Sequence, residues 1–457
     1  MYETVKEAVE KRDFKTVKET FEHLEEADIA DLMQGFHDNR EVDAKDISLL
    51  FRLLPKDTAA EVFTYMETDM KELLINRFTD TELEDIVDNL FIDDTVDLIE
   101  EMPANVVQRI LAASDPQSRK MINMILKYPE DSAGSIMTTE FVYMKRDQTV
   151  KECLEKIRSL GMVKETVYTI YVTEQDRRLV GVLSILDLLT ADDDDIIGDI
   201  MDENVITALT TDDQEQVAAQ FAKYDFVALP IVDNENRIVG IVTFDDAMDV
   251  VEEEATEDMA HMAATMTSEE SYFKTSVIAH ARNRIVWLLV LMLSSTISSI
   301  IIGHYEAAFA TIPLLVASIP TLTGTGGNCG TQTSTMVIRG MSLGEIELKD
   351  FFRVMFKELR ISLIVGVILA AVNFVRICIQ YSKDTSVDSV KLGVCVSLAI
   401  FAAVVMSKLI GCILPMAAKA VKIDPALMAA PFISTIVDAS TTLVFFNIAL
   451  LVFNIKI

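Results

Sequence analysis

Cysteine is scarce in this 457-residue chain: Cys153, Cys329, Cys378, Cys395 and Cys412 stand apart, with no CxxC pair among them. That spacing argues against a disulfide framework and against a zinc site. Histidine is as thin, and His23, His37, His261, His280 and His304 are scattered. No HExxH, GxSxG or phosphate-binding glycine loop occurs. A catalytic centre has little to be built from, and the chain reads as a non-enzyme. Basic residues are lacking where charge is densest. Up to Tyr272 there are 25 Lys and Arg against 63 Asp and Glu, a net of −38. Such a surface repels nucleic acid and anionic headgroups, so nucleic acid is not an expected partner. It attracts cations.

From Phe273 onward the balance reverses to 15 basic against 9 acidic residues, a net of +6, and long uncharged runs appear. A membrane-spanning helix needs about 20 apolar residues. Five segments qualify: Ile285–Gly303, Ala307–Ile338, Ile361–Ser382 with Arg376, Leu392–Ala418 with Lys408, and Pro425–Ile455 with Asp438. The second half is thus expected to lie in a lipid bilayer. The start, MYETVKEAVEKRDF, is charged and lacks the apolar core of a signal peptide. Lys274, Arg282 and Arg284 precede the first span, Arg339 to Arg360 fill the second connection, and Lys419 and Lys422 the fourth. Positive flanks stay inside, so the N-terminus is expected in the cytoplasm of a cell-membrane protein and the C-terminus outside. Lys383 and Lys391 in the third loop run against this, and Asp384 and Asp388 do not cancel them.

Two intramembrane signals stand out. A lone carboxylate in a span is costly and usually faces a pore, a partner or water. Asp438 lies in PFISTIVDASTTLVFF, with Thr435 and Thr442 at helical spacing on its face. Oxygen ligands of this kind suit Mg²⁺, which sheds water reluctantly and binds through few carboxylates. The alternative is a protonated Asp bonded between helices. The run PTLTGTGGNCGTQ carries Gly324, Gly326, Gly327 and Gly330, which either expose carbonyls and place Asn328 and Gln332 along a pore or let helices pack closely. Pro431, shortly before Asp438, can free further carbonyls.

The acidic half has two parts. Residues 1–130 read as amphipathic helices, with Leu-Pro and Met-Pro breaks at Pro55 and Pro103. Acids cluster there at Glu61, Asp93, Asp94 and Asp97, and Asp93 and Asp97 share a helix face at i, i+4. Residues 135–250 contain a duplication: IMTTEFVYMKRDQTVKECLEKI is echoed by IMDENVITALTTDDQEQVAAQF, and RLVGVLSILDLL by RIVGIVTFDDAM. This resembles a CBS-domain pair. The resemblance implies that Ser184 with Asp187, and Thr243 with Asp246, occupy places where such modules hold an adenosine ribose, so ATP is a candidate ligand; a purely dimerising module is the alternative. The stretch FDDAMDVVEEEATEDMAHMA then leads to the first span and reads as a gating lever.

The order of these parts, with EEEATED, GTGGNCGTQ and DPALMAAPFISTIVD, resembles the MgtE family of magnesium channels over nearly the whole chain. The resemblance implies a multidomain fold: an all-α acidic N domain (1–131), an α/β CBS pair (132–250), a connecting helix (251–280) and an all-α five-helix transmembrane domain (281–457). It implies a homodimer, with Mg²⁺ both transported and regulatory. The family's pore acid falls on Asp438 and its pore-mouth acid on Asp424. Its regulatory cation sites would draw on Glu61, Asp93, Asp97, Asp213, Glu215, Asp225, Asp246, Asp249, Glu254, Glu257 and Asp258. Cys329 replaces the small Ala expected in GGNCG. An ion-coupled secondary transporter of divalent cations (Mg²⁺, Co²⁺, Mn²⁺) is the rival reading.

Overall fold

The structure is a computed structural model that describes residues 2–160, 165–266, 272–309, 312–382, 388–428 and 430–455. It divides into two units, Met1–Val251 and Glu252–Ile457. The first opens with α1 (Tyr2–Glu10), α2 (Phe14–Phe21), α3 (Glu26–Asp38), α4 (Ala44–Phe51), α5 (Lys56–Thr64), α6 (Thr68–Arg77), α7 (Asp80–Val87), α8 (Ile92–Glu101), α9 (Ala104–Ala113) and α10 (Pro116–Ile125). These helices are short because the sequence keeps restarting them. Pro55 and Pro103 stand at the N-caps of α5 and α9, each with φ of −59°, where a missing N–H costs nothing. Thr79 closes a capping box on α7, and Asp115 caps α10 ahead of Pro116. Apolar stripes from successive helices, Met33 and Phe36, Ile47 and Leu50, Val62 and Phe63, then Met70 and Leu74, fill one core.

The duplicated segment folds twice into the same small sheet. The first copy is β1 (Val142–Lys145), α11 (Val150–Leu160), β2 (Thr169–Thr173), β3 (Leu179–Ser184) and α12 (Ile185–Thr190). After α13 (Ile197–Ile200) the second follows: β4 (Ala208–Leu209), α14 (Gln214–Tyr224), β5 (Ala228–Val232), β6 (Ile238–Thr243) and α15 (Phe244–Met262). In each, the first strand runs parallel to the second, and the second antiparallel to the third. Register corresponds too, with Thr169 opposite Ser184 and Ala228 opposite Thr243. The recurrent Met and Gly now have a cause. The opening segments are exchanged between copies, so Thr138 bridges to Ile241 and Asp202 to Val182. Met137 lies on Gly240, where a Cβ would meet its sulfur at 2.6 Å, and Met201 lies on Gly181 in the same way. A side chain at either glycine would displace the other copy's methionine.

The second unit holds the end of α15 and then α16 (Val277–Phe309), α17 (Pro313–Val316), α18 (Ile319–Ser342), α19 (Phe351–Gln380), α20 (Ser389–Ala420) and α21 (Ala430–Phe453). Among the described residues, four segments are long and apolar enough to cross a membrane: Val277–Tyr305, Leu348–Gln380, Ser389–Ala420 and Pro425–Phe453. The 24 residues of α18 reach about 36 Å at 1.5 Å per residue, a spanning length, but glycine and threonine dilute its apolar run. The expected span Ala307–Ile338 is redrawn. Pro313 and Pro320 sit in the first turns of α17 and α18 and each starts a new helix. Lys383 and Asp384 of the expected third loop lie outside the described residues.

The glycine run is helical throughout, so its carbonyls serve α18 itself, and close packing replaces the expectation of exposed carbonyls. A Cβ on Gly326 would stand 3.1 Å from each of Ser407 Oγ, Thr441 Oγ1 and Val437 Cγ1, and one on Gly330 would stand 2.9 Å from Ile433. Gly411 of α20 packs directly on the Gly330 carbonyl. Both basic residues that interrupt the expected spans are partnered. Arg376 donates to Asn373 Oδ1 at 2.8 Å and to Gln380 Oε1 at 3.2 Å. Lys408, 6 % exposed, donates to Thr333 Oγ1 at 3.0 Å and lies 3.5 Å from Glu358 Oε2, which also accepts from Thr333 at 3.0 Å. This triad pins α18, α19 and α20 together.

A buried pair broken on one side leaves a charge uncompensated. Lys408→Met alone should therefore destabilise the detergent-solubilised protein by about 3–5 kcal/mol, and adding Glu358→Leu should recover most of that loss. Thermal unfolding of both variants checks it; equal losses in single and double variants would remove the pair from the account.

Candidate functional site

In the first unit the fold gathers carboxylates that lie far apart in the chain. Asp93, Asp94 and Asp97 sit on α8. Asp246 stands in the first turn of α15, where it accepts from Thr243 Oγ1 at 2.5 Å and from Thr243 N at 3.3 Å. Glu140 reaches the N-terminus of α8 and accepts from Ile92 N at 3.1 Å, while Glu165 donates its backbone N–H to the Glu140 carbonyl. Asp93 is 7 % exposed and its Oδ1 has no hydrogen-bond donor, nor has Glu165 Oε2.

These groups hold one another's protons. Burial, then the charge of Asp246, pushes Asp93 well above the usual carboxylate range. The same two causes push Glu165 up to about 8. Burial pushes Asp94 and Asp246 up to about 6. Asp97 is raised as well, by loss of water among the packed helices and then by the charge of Asp246, although its side chain is exposed at the rim of the cluster. Two unit charges about 5 Å apart repel by about 3 kcal/mol at an effective dielectric of about 20. Such a cluster must take up protons or a cation. Hard oxygen ligands, an orphaned buried oxygen and excess negative charge fit Mg²⁺ held through one or two carboxylates with water completing its shell.

The other expected acids of this unit fall elsewhere. Glu61 on α5 has Glu26 and Asp57 as its charged neighbours. Asp213 and Glu215 open α14, with Asp213 its N-cap, and Asp225 closes it in the left-handed conformation at φ 55°. Eleven helical residues span about 16 Å, so Asp225 cannot share an ion with the other two within one chain. Asp249 is exposed on α15. Ser184 and Asp187 are exposed and form a capping box on α12, with Ser184 Oγ donating to Asp187 Oδ2 at 2.6 Å. Thr243 repeats that bond toward Asp246. Sequence reading left out Glu140, Glu165 and the full part of Asp94; only the tertiary fold brings them in.

In the second unit, the end of α15 meets the loop before α21. His261 Nδ1 lies 2.8 Å from Asp424 Oδ2, and His261 Nε2 3.6 Å from Glu257 Oε1. Asp424 Oδ1 accepts from Ala426 N at 2.9 Å. Burial, then the Asp424 charge, raises the carboxyl of Asp258. Glu254 lies one turn earlier on α15. Met262 packs against Ile338 and Ala426 below them. The expected acids Glu257, Asp258 and Asp424 are thus neighbours, with an unanticipated histidine between two of them.

Asp438 sits mid-helix on α21, half-buried. It faces Gly327 of α18: a Cβ there would lie 3.9 Å from Asp438 Oδ1 and 3.8 Å from Ser434 Cβ. Ser434 stands beside it toward Gly327, while Thr435, at i−3, turns its Oγ1 back to donate to the Pro431 carbonyl at 3.0 Å. Thr442 is buried and its hydroxyl has no acceptor. The carboxylate therefore lies beside α18 where the facing residue, Gly327, has no side chain. Along α18, Gly324, Asn328, Gln332 and Thr335 form an exposed polar stripe.

Three family models match this chain: the divalent cation transporter MgtE over residues 319–448, the MgtE intracellular N domain over 24–131, and the CBS domain over 133–194 and 197–253. It is 33 % identical to the magnesium transporter MgtE of Thermus thermophilus over 450 residues, 98 % of this chain and 97 % of that protein. It is 31 % identical to the magnesium transporter MgtE of Bacillus subtilis over 422 residues, 90 % of this chain and 92 % of that protein. Among solved structures it is similar to the cytosolic domain of the Mg²⁺ channel MgtE in complex with ATP. That likeness is 34 % identical with a TM-score of 0.50, covering 55 % of this chain and 100 % of the other.

The acid cluster carries a pH signature. Each raised carboxylate binds its proton more tightly folded than unfolded, so without divalent cations stability is greatest below about pH 4 for these groups and falls as pH rises toward about 8. Added Mg²⁺, which needs the ionised form, should raise the melting temperature far more at pH 8 than at pH 6. Melting curves of the full chain with Mg²⁺ or a chelator test this. Asp93→Asn with Asp97→Asn should flatten the pH dependence, and an unchanged Mg²⁺ response in that variant would contradict it.

Proposed function

The chain belongs to the MgtE family of magnesium transporters, and on that premise we propose that it is a Mg²⁺-selective channel shut by Mg²⁺ on its cytoplasmic side. It carries Mg²⁺ across a membrane as a multi-pass protein. The observation that supports the channel reading is Asp438, a single half-buried acid at mid-span that looks onto the bare backbone of Gly327. A largely hydrated Mg²⁺ needs a hard oxygen and room for its water; Asp438 supplies the oxygen, and the missing side chain at Gly327 supports the room. Two copies of the chain would set two such acids and two polar stripes of α18 around one axial path. A homodimer is therefore part of the proposal, with its N-terminus cytoplasmic, its C-terminus outside and its hydrocarbon-facing helices in lipid.

Shut-off is assigned to the acids. Asp93, Asp97 and Asp246, with Glu140 and Glu165 behind them, would hold regulatory Mg²⁺ in the first unit. Glu254, Glu257, Asp258 and Asp424 would hold it at the end of the connecting helix. Glu61, Asp213, Glu215, Asp225 and Asp249 remain proposed ligands only for sites completed by a second chain. A bound cation supplies the positive charge that lets these carboxylates ionise while staying together. When it leaves, their repulsion favours separation, and mass action sets the balance. His261 beside Asp424 occupies the cation's place by hydrogen bonding.

ATP is a second proposed ligand, because a relative's cytosolic domain was crystallised with it. Ser184 and Asp187 would receive the ribose; Thr243 is the weaker candidate, since its partner Asp246 stands in the acid cluster. The rival mechanism, a carrier that couples divalent cations to another ion, differs in one observable. A channel conducts down the Mg²⁺ gradient with no co-ion dependence.

Two variants test the proposal in proteoliposomes. Asp438→Ala should abolish Mg²⁺ flux while the protein still folds, and undiminished selective flux would sink the pore assignment. Replacing Glu254, Glu257 and Asp258 together by Ala should leave conduction intact. It should raise the Mg²⁺ needed for half shut-off by about tenfold or more, the equivalent of losing about 1.4 kcal/mol of closed-state stabilisation. Unaltered shut-off in that triple variant would remove the lever.

A further inference from the structure

One group of side chains in the helical N domain differs in chemistry from every acid so far described. His37 and Asp38 are the last two residues of α3, and Asp69 lies in the first turn of α6. One ligand atom from each lies within 4.8 Å of the others, the one such group of three among the described residues. His37 Nε2 stands 3.3 Å from Asp69 Oδ2. A tetrahedral shell with bonds of about 2.0 Å places its donors about 3.3 Å apart, so this pair already has the right separation.

Gln34, one turn before His37, gives the second observation. It is 8 % exposed, and its Nε2 donates to Asp38 Oδ1 at 3.1 Å and Asp69 Oδ1 at 3.3 Å. Its Oε1 is buried with no donor. Leaving a buried carbonyl unsatisfied costs about 1–3 kcal/mol. Half a turn of the amide would exchange its nitrogen and oxygen and turn Oε1 toward the two carboxylates. Three oxygens together would be repulsive there unless a cation lay between them. The orphaned oxygen and the convergent donors thus have one common remedy. The position also suits positive charge, being the C-terminal end of α3, where the helix dipole is negative.

We propose that His37, Asp38 and Asp69, with Gln34 Oε1 as fourth ligand, bind one borderline transition-metal dication such as Zn²⁺ or Co²⁺. An imidazole nitrogen favours such ions, whereas Mg²⁺ prefers an all-oxygen octahedron. His37 and Asp69 are partly solvent-accessible, with side-chain exposures of 28 % and 40 %, so an ion can enter. The site joins α3 to α6 and gives the N domain an input that Mg²⁺ does not fill.

The test uses the full-length, tag-free protein in detergent, with Mg²⁺ in large excess to occupy the acid sites. Co²⁺ is titrated and followed by its visible d–d absorption and by metal content after desalting. The wild type should retain one Co²⁺ per chain more than His37→Ala or Asp69→Asn, with affinity falling by at least about tenfold in Gln34→Ala. Melting curves check that each variant folds, and His37→Gln, which keeps a hydrogen-bonding side chain, replaces His37→Ala if that one does not. Equal Co²⁺ content and an unchanged spectrum in the wild type and the folded His37 and Asp69 variants would overturn the proposal.

Discussion

Carboxylates held together out of water cannot all keep their charge, and the acidic half of this protein is organised around that constraint. Asp93 on α8, Asp246 at the head of α15 and Glu165 in the first repeat come from distant parts of the chain, and burial raises all of them, with Asp97 at the rim. Hydrophobic packing forces the encounter: the core that binds the N-terminal helices also includes Val217, Phe221, Ala247 and Val250. Apolar burial therefore supplies the free energy that holds like charges near one another. The charge deficit is left for protons or cations to fill. A cluster so built responds to cation concentration because its fold alone leaves it incomplete.

The membrane half solves the opposite problem. Its charges are few, and each that interrupts a span has a local answer. Lys408 has Glu358 and Thr333, and Arg376 has Asn373 and Gln380. Asp438 is the exception, because what faces it is glycine backbone. Close packing at Gly326, Gly330 and Gly411 locks α18 against its neighbours, whereas Gly327, between the first two, leaves a gap beside the carboxylate. The same residue type thus serves two ends within one turn of helix. Where a Cβ would collide, glycine brings backbones together; where it would meet only Asp438, glycine keeps the acid accessible.

Much of this was legible in the sequence, and the limits follow from what each signal encodes. The duplicated Met-opening and Val-Gly strands announced a paired module because its packing is repetitive, Met137 on Gly240 and Met201 on Gly181. Asp438 was legible because an acid among twenty apolar residues has no bland surroundings. Asp93 and Asp97 were legible as an i, i+4 pair, a local spacing. Glu140 and Glu165 were not, since nothing near them in the chain says that they will stand beside α8. Glu358 sat in a stretch that reads as a polar connection until α19 extends through it. His261 was one histidine in an acidic helix, with Glu257 one turn before it, and only the return of Asp424 brings it a partner from elsewhere in the chain. The break between α16 and α18 depended on Pro313 and Pro320, which read as apolar in a hydropathy count but act as helix starts.

The two repeats show how one local design can acquire two duties. Ser184 with Asp187 and Thr243 with Asp246 make the same hydroxyl-to-carboxylate bond three residues apart at the start of a helix. Locally they are equivalent, as duplication would leave them. Their surroundings differ. Asp187 is exposed, whereas Asp246 is half-buried and faces the acids of α8. In the second repeat the carboxylate that would take a sugar hydroxyl is also crowded by like charges, whereas Asp187 is exposed. The proposed nucleotide site therefore draws on the first repeat and the proposed cation site on the second. That asymmetry arises because the N-terminal helices share their core with one repeat and not with the other.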